Sequence, residues 1–187
     1  MALKRFVIDG FGQLELNNVF FRRSGSVEAQ CFLDETDFKT VPAENGMLLA
    51  VDRVNRTVKF PVEDEKLPIG LNYTTEHMYD ERTTGLKNFK LERGTFLPRI
   101  GWPSTGELWT TNCLAYDSEE FADDDAVMEA VKDRETLAAT PVYGGACENG
   151  AVKLSKTEPT FGPVLRAVEK TTMPDGQFAL KFQVVRA

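Results

Sequence analysis

Residues 164–171 and 177–186 flank the tetrapeptide Met173-Pro174-Asp175-Gly176, and no other stretch constrains the fold as strongly. Proline presets one turn dihedral and Asp-Gly supplies the others, so the two arms are expected to pair as an antiparallel hairpin. Within the second arm Phe178, Leu180, Phe182 and Val184 alternate with Ala179, Lys181, Gln183 and Val185. A period of two collects the first set on one face of a strand. An apolar face of that width must be covered by a second layer, which makes this hairpin part of a core.

The rest of the chain repeats the pattern in shorter runs, interrupted by Gly, Pro, Asn or Asp. A second hairpin is expected where 47–52 and 57–60 bracket Arg53-Val54-Asn55-Arg56, entered through the Asn45-Gly46 turn. A strand from 67 onward reaches Thr75, with Pro68 near its start, where a missing amide donor does least harm. The run 108–116, Leu-Trp-Thr-Thr-Asn-Cys-Leu-Ala-Tyr, is rich in β-branched and aromatic residues and predicts one further strand. Shorter strands are expected over 13–16, 19–21, 27–33, 141–143 and 151–154, with Tyr143-Gly144-Gly145 and Asn149-Gly150 in a loop. Only 124–137 has helical spacing: it lacks Gly and Pro, places Val127, Ala130, Val131 and Leu137 along one stripe, and has Asp123 as N-cap. The expected fold class is therefore mainly β, a β-sandwich or barrel-like domain with one helix near 124–137. At 187 residues this is one β-rich structural domain over 1–187, with room for a smaller lobe containing the acidic and helical insertion at 118–137.

Charge narrows the partners. Twenty-two basic against 29 acidic side chains give a formal net charge of −7, which repels a polyphosphate backbone, so no nucleic acid is expected as a partner. The densest acidic run holds Asp117, Glu119, Glu120, Asp123, Asp124 and Asp125. The first residues offer Lys4 and Arg5, but Asp9 and Gly10 cut the apolar stretch short of a signal peptide, and nothing approaches the roughly 18 apolar residues of a membrane span. A protein made on the cytosolic side, with no membrane partner, is expected. In that setting Cys31, Cys113 and Cys147, odd in number and widely spaced, read as reduced buried thiols. The sequons at Asn55-Arg56-Thr57 and Asn72-Tyr73-Thr74 read as turn and strand residues.

Chemistry finds little purchase in these residues. His77 is the only histidine, so any Ser-His-Asp or Cys-His arrangement would depend on it, and no nucleophile elbow accompanies it. The acidic run lacks the spacing of a calcium loop and abuts a helix N-terminus, where carboxylates are favoured anyway. The glycines form neither phosphate-binding pattern. No catalytic residue, metal or cofactor is assigned, and an enzyme is not expected. Two stretches have the composition of contact surfaces instead: Phe20, Phe21, Arg22 and Arg23, and the aromatic and proline-rich stretch with Trp102 and Trp109. For each, ordinary packing is the competing expectation. From a different class, Trp102, Trp109, Tyr73 and Tyr79 would suit a sugar-stacking platform in a small-ligand or carbohydrate-binding β domain.

Five pieces carry a resemblance: NGMLLAVD at 45–52, LPIGLNYTTEHMYD at 67–80, GLKNF at 85–89, FLPRIG at 96–101 and TTN at 110–112. Together they make the segment 45–112 resemble small structural proteins encoded in the head-gene region of tailed phages. The resemblance implies a capsid protein of the decoration or cement type, or within the same class a tail-tube or connector component. Its partners would be the major capsid protein and further copies of itself, a homo-oligomer such as a trimer. The implied location is the virion, after synthesis in the host cytoplasm.

Overall fold

The computed structural model describes residues 2–16, 19–74 and 85–187, with Arg22 and Arg23 described by backbone alone. In chain order its elements are β1 (Leu3–Arg5), α1 (Phe21–Ser24), β2 (Val27–Glu28), β3 (Phe32–Leu33), β4 (Leu48–Asp52), β5 (Thr57–Lys59) and β6 (Ile69–Asn72). There follow β7 (Ile100–Gly101), β8 (Leu108–Thr111), β9 (Leu114–Asp117), α2 (Asp124–Ala130), α3 (Arg134–Ala139), β10 (Tyr143–Gly145), β11 (Val152–Ser155), β12 (Val164–Thr172) and β13 (Phe178–Arg186). The protein is mainly β and builds two sheets, as its turn-punctuated alternation predicts.

The larger sheet has the order β1-β9-β11-β10-β12-β13-β8. Its β12–β13 hairpin forms across the expected turn, and Leu180, Phe182 and Val184 are buried while Gln183, Val185 and Arg186 are exposed. Contiguous strands β8 and β9 sit near opposite ends of this order, so the sheet curls into a half-barrel whose ends are carried by one bent segment. The single strand expected over 108–116 is thus two strands. The break falls where the Asn112 side chain accepts the Gln13 amide N–H (2.7 Å) and the Thr111 hydroxyl accepts the Cys113 amide (3.0 Å). Side-chain acceptors that capture backbone donors in this way divert them from a ladder.

The smaller sheet has the order β2-β7-β6-β4-β5-β3. Here the expected strand 27–33 also divides, its halves forming the two opposite edges. Strand β4 shows no alternation because it is covered on both faces. Leu48 and Ala50 join a cluster with Trp109, Leu114 and Phe182, whereas Leu49 and Val51 join another with Val58, Cys113 and Ala115.

Three local expectations change. Phe21 begins a helical turn rather than ending a strand, because the Glu107 carboxylate accepts the amide N–H groups of Phe20 and Phe21 and Gly25 closes the turn at φ 72°. The helix expected over 124–137 is two helices, α2 capped by Asp123 on the Ala126 amide and α3 capped by Asp133 on the Thr136 amide. An aspartate is a better cap than an interior residue, and Asp133 restarts the helix. Tyr143-Gly144-Gly145 is strand β10, not loop. A Cβ on Gly144 would lie 2.6 Å from Val152 Cγ1, so only glycine lets β10 lie under its neighbours.

Candidate functional site

The six residues singled out as contact candidates separate between core and surface. Phe20 is 58% exposed, on a backbone fixed by Glu107. Phe21 is buried against Tyr73, ring centroids 4.9 Å apart, and against Gly101, where a Cβ would stand 2.2 Å from its ring. Arg22 and Arg23 follow in α1. Trp102 is half-buried with the Arg53 guanidinium 5.3 Å above its ring. Trp109 is fully buried in the half-barrel. Of the rings considered for a sugar platform, Tyr73 and Trp109 are therefore enclosed, and Tyr79 lies outside the described residues, as does His77.

Sequence gave no sign of Glu107. It is 8% exposed, and besides the Phe20 and Phe21 amides it accepts the Ser104 N–H at 3.1 Å. One buried carboxylate thus holds a helical turn and the approach to β8 together, and charge-assisted bonds of this kind are the stronger ones.

The motifs at 45–52, 67–80, 96–101 and 110–112 converge in space. Gly46 N–H donates to the Asn72 carbonyl (2.9 Å), and the Asn72 amide group donates to the Glu44 carbonyl (2.8 Å). The Thr74 hydroxyl donates to the Asn72 side chain and accepts the Arg99 amide (2.9 Å). Thr111 donates its hydroxyl to the Gln13 carbonyl (2.6 Å), and a Cβ on Gly46 would stand 2.2 Å from that hydroxyl oxygen. Asn45, Asn72, Thr74, Thr111 and Asn112 are all buried. The result is a polar node that ties β4, β6 and β7 of the small sheet to the β8–β9 bend of the large one. These bonds fix the local geometry, although the Asn112 side-chain N–H group has no hydrogen-bond partner among the described residues.

Two concavities flank β1. The larger, about 690 Å³, is lined by Leu3, Asp117 and Lys153 together with Glu63, Glu148 and Glu158. The smaller, about 510 Å³, lies over Arg5, Glu44, Met47 and Phe60. Arg5 pairs with Glu44 at 2.7 Å, and Glu44 also accepts the Gly12 amide. Burial pushes the neighbouring thiols up, Cys113 to about 12 and Cys147 to about 11, so both stay protonated and poorly nucleophilic near neutrality. Carboxylates with displaced pKa values move downward: Asp52 and Asp133 first through backbone amide bonds from Asn55 and Thr136, Glu169 first through the Arg134 side chain. A general acid would need the opposite displacement.

The acidic run does structural work. Asp123 caps α2, Asp124 accepts the Tyr116 hydroxyl (2.8 Å) and the Val7 amide (2.9 Å), and Glu120 accepts the Ser155 hydroxyl and the Lys156 amide. Burial, then the Asp124 bond, pushes the Tyr116 hydroxyl up to about 12. Among the described residues no group of three His, Cys, Asp or Glu side chains is placed to hold a metal, and no helix is long and apolar enough to cross a membrane. Comparison with protein-family models, with curated proteins and with solved structures finds no match to this chain.

Proposed function

We propose that the chain is an accessory structural subunit of a tailed-phage particle, a head decoration or cement protein that binds across assembled capsid subunits. The observation that carries the proposal is the polar node. Four of the five segments that carry the resemblance to phage head proteins meet at one buried set of hydrogen bonds through Gly46, Asn72, Thr74, Arg99 and Thr111, which supports reading them as framework. A framework protein acts through the surfaces it presents, and Phe20, held outward on a backbone clamped by Glu107, is the aromatic best prepared for a partner.

A cement protein stabilises a shell because it binds the assembled state better than the free subunit. Purified protein sedimented with closed capsids and, separately, with unassembled capsid subunits tests this. Saturable binding to the closed shells alone is expected; equal binding to both, or binding to neither, overturns the proposal.

A further inference from the structure

The larger concavity lies on the face of the half-barrel beside an unused sheet edge. Bonded pairs along β1 fall at Ala2 with Ser118, Lys4 with Tyr116 and Phe6 with Leu114. Antiparallel pairing alternates, so the main-chain N–H and C=O groups of Leu3 and Arg5 point away from β9. β1 ends its sheet, and no hydrogen bond among the described residues reaches those groups. An edge of this kind is a template for another strand.

The charged side chains that line the cleft are mostly acidic, and Arg5, on the same face of β1 as Leu3, is paired with Glu44. Successive residues of a strand point to opposite faces, so every second residue of a chain paired with β1 would project onto the Leu3 face, into the cleft. There stand Glu63, Asp117, Glu120, Glu148 and Glu158 against Lys153. Among the described residues Asp117 has only Lys153 at 3.9 Å as a counter-charge and Glu158 only Arg186 at 3.4 Å. Glu63 and Glu148 make no hydrogen bond or ion pair among the described residues. Leu3, Gly145 and Pro159 give the same cleft apolar lining for the stems of long side chains.

We infer that this cleft and the β1 edge together receive an extended segment of a partner chain carrying lysine or arginine at alternate positions, bound by strand addition. The inference rests on the particle role above only for the source of that segment, a neighbouring subunit. Charge complementarity selects the occupant, and the backbone edge distinguishes an extended peptide from a diffuse cation.

The full chain is titrated with a fluorescent, end-blocked hexapeptide alternating lysine and valine. The controls are the same peptide with glutamate for lysine, the lysine peptide N-methylated at alternate amides, and spermine. Binding by the unmodified lysine peptide is expected, with slower hydrogen exchange at the Leu3 and Arg5 amides. The exposed double substitution Glu63→Gln/Glu148→Gln should weaken it by roughly three- to tenfold, at surface ion-pair strength for each charge. No binding at about 1 mM peptide, equal binding of the glutamate or N-methylated peptide, or exchange at Leu3 and Arg5 that the bound lysine peptide leaves unchanged or that spermine slows equally, overturns the inference. Shell sedimentation is a separate readout, so peptide failure with intact shell binding removes the cleft and leaves the particle role standing.

Discussion

The two sheets are held together differently. In the large one, β12 and β13 run nine residues each and pair through their backbones, with side chains alternating between core and solvent. In the small one, strands of two to five residues are pinned by side chains reaching backbone groups, chiefly through Asn72, Thr74 and the β8–β9 bend. A long ladder tolerates change at any single position outside its core. A short one depends on a few polar residues, and the segments 45–52, 67–80 and 96–101 contribute to it. Their residues are framework because strands this short cannot hold their register by ladder alone.

Substitutions separate the two regimes. Trp109→Ala empties the centre of the half-barrel and should have the largest effect, a loss of about 3–5 kcal/mol in denaturant unfolding. A loss under about 1 kcal/mol would mean that the large core tolerates truncation. Asn72→Ala removes a donor to Glu44 and an acceptor for Thr74, and should cost about 1–3 kcal/mol. Its signature is local: exchange at the Gly46 and Arg99 amides should accelerate while Leu180 and Phe182 stay protected. Uniform acceleration would show that the two sheets unfold as one unit and that the contrast between them fails. Gly101→Ala presses a methyl group into the Phe21 ring and should also cost about 1–3 kcal/mol, concentrated in β2 and β7.

The buried thiols give a pH dependence on the side of the bend. Cys113 and Cys147 titrate in the folded state near 12 and 11 against an ordinary 9.0. The unfolded chain then binds fewer protons than the folded one above pH 9, and stability must fall as pH rises from there. Below the ordinary value their contribution is constant. Thermal unfolding between pH 7 and pH 10.5 should show the decline only in the upper part of the range. Replacing both cysteines by alanine should reduce it, with the remainder coming from Cys31, whose thiol is also pushed up by burial, and near the top of the range from Tyr116. The smallest effect on stability is expected from Phe20→Ala, within about 0.5 kcal/mol. The same substitution should weaken shell binding by at least about tenfold if Phe20 is an anchor.

Much of this architecture is legible in the sequence where the local signal and the final environment agree. The hairpins at 47–60 and 164–186 need only alternation and turn residues, and both form. Asp123 caps a helix where its neighbours say it should. Bends are another matter. Both 27–33 and 108–116 read as continuous strands, yet each divides and serves distant positions in its sheet: side chains within each run capture its own amides, Glu28 that of Gln30 and Thr111 that of Cys113, and remote Gln13 bonds to the second bend. Phe21 and Trp109 have interface composition but pack inside, Phe21 because Gly101 leaves room for its ring. Glu107 was invisible because a carboxylate among 29 acids gains its role only when three amides converge on it. The cleft beside β1 gathers carboxylates from β9 and from separate loops, and spacing along the chain does not reveal that.

The central claim is that the chain works as a framework subunit of a particle, and its most direct test is quantitative mass spectrometry of gradient-purified particles from cells in which the gene is expressed. The account predicts the polypeptide in a constant ratio to the major shell subunit across every particle-bearing fraction. Fully assembled, infectious particles from which it is missing would contradict that claim.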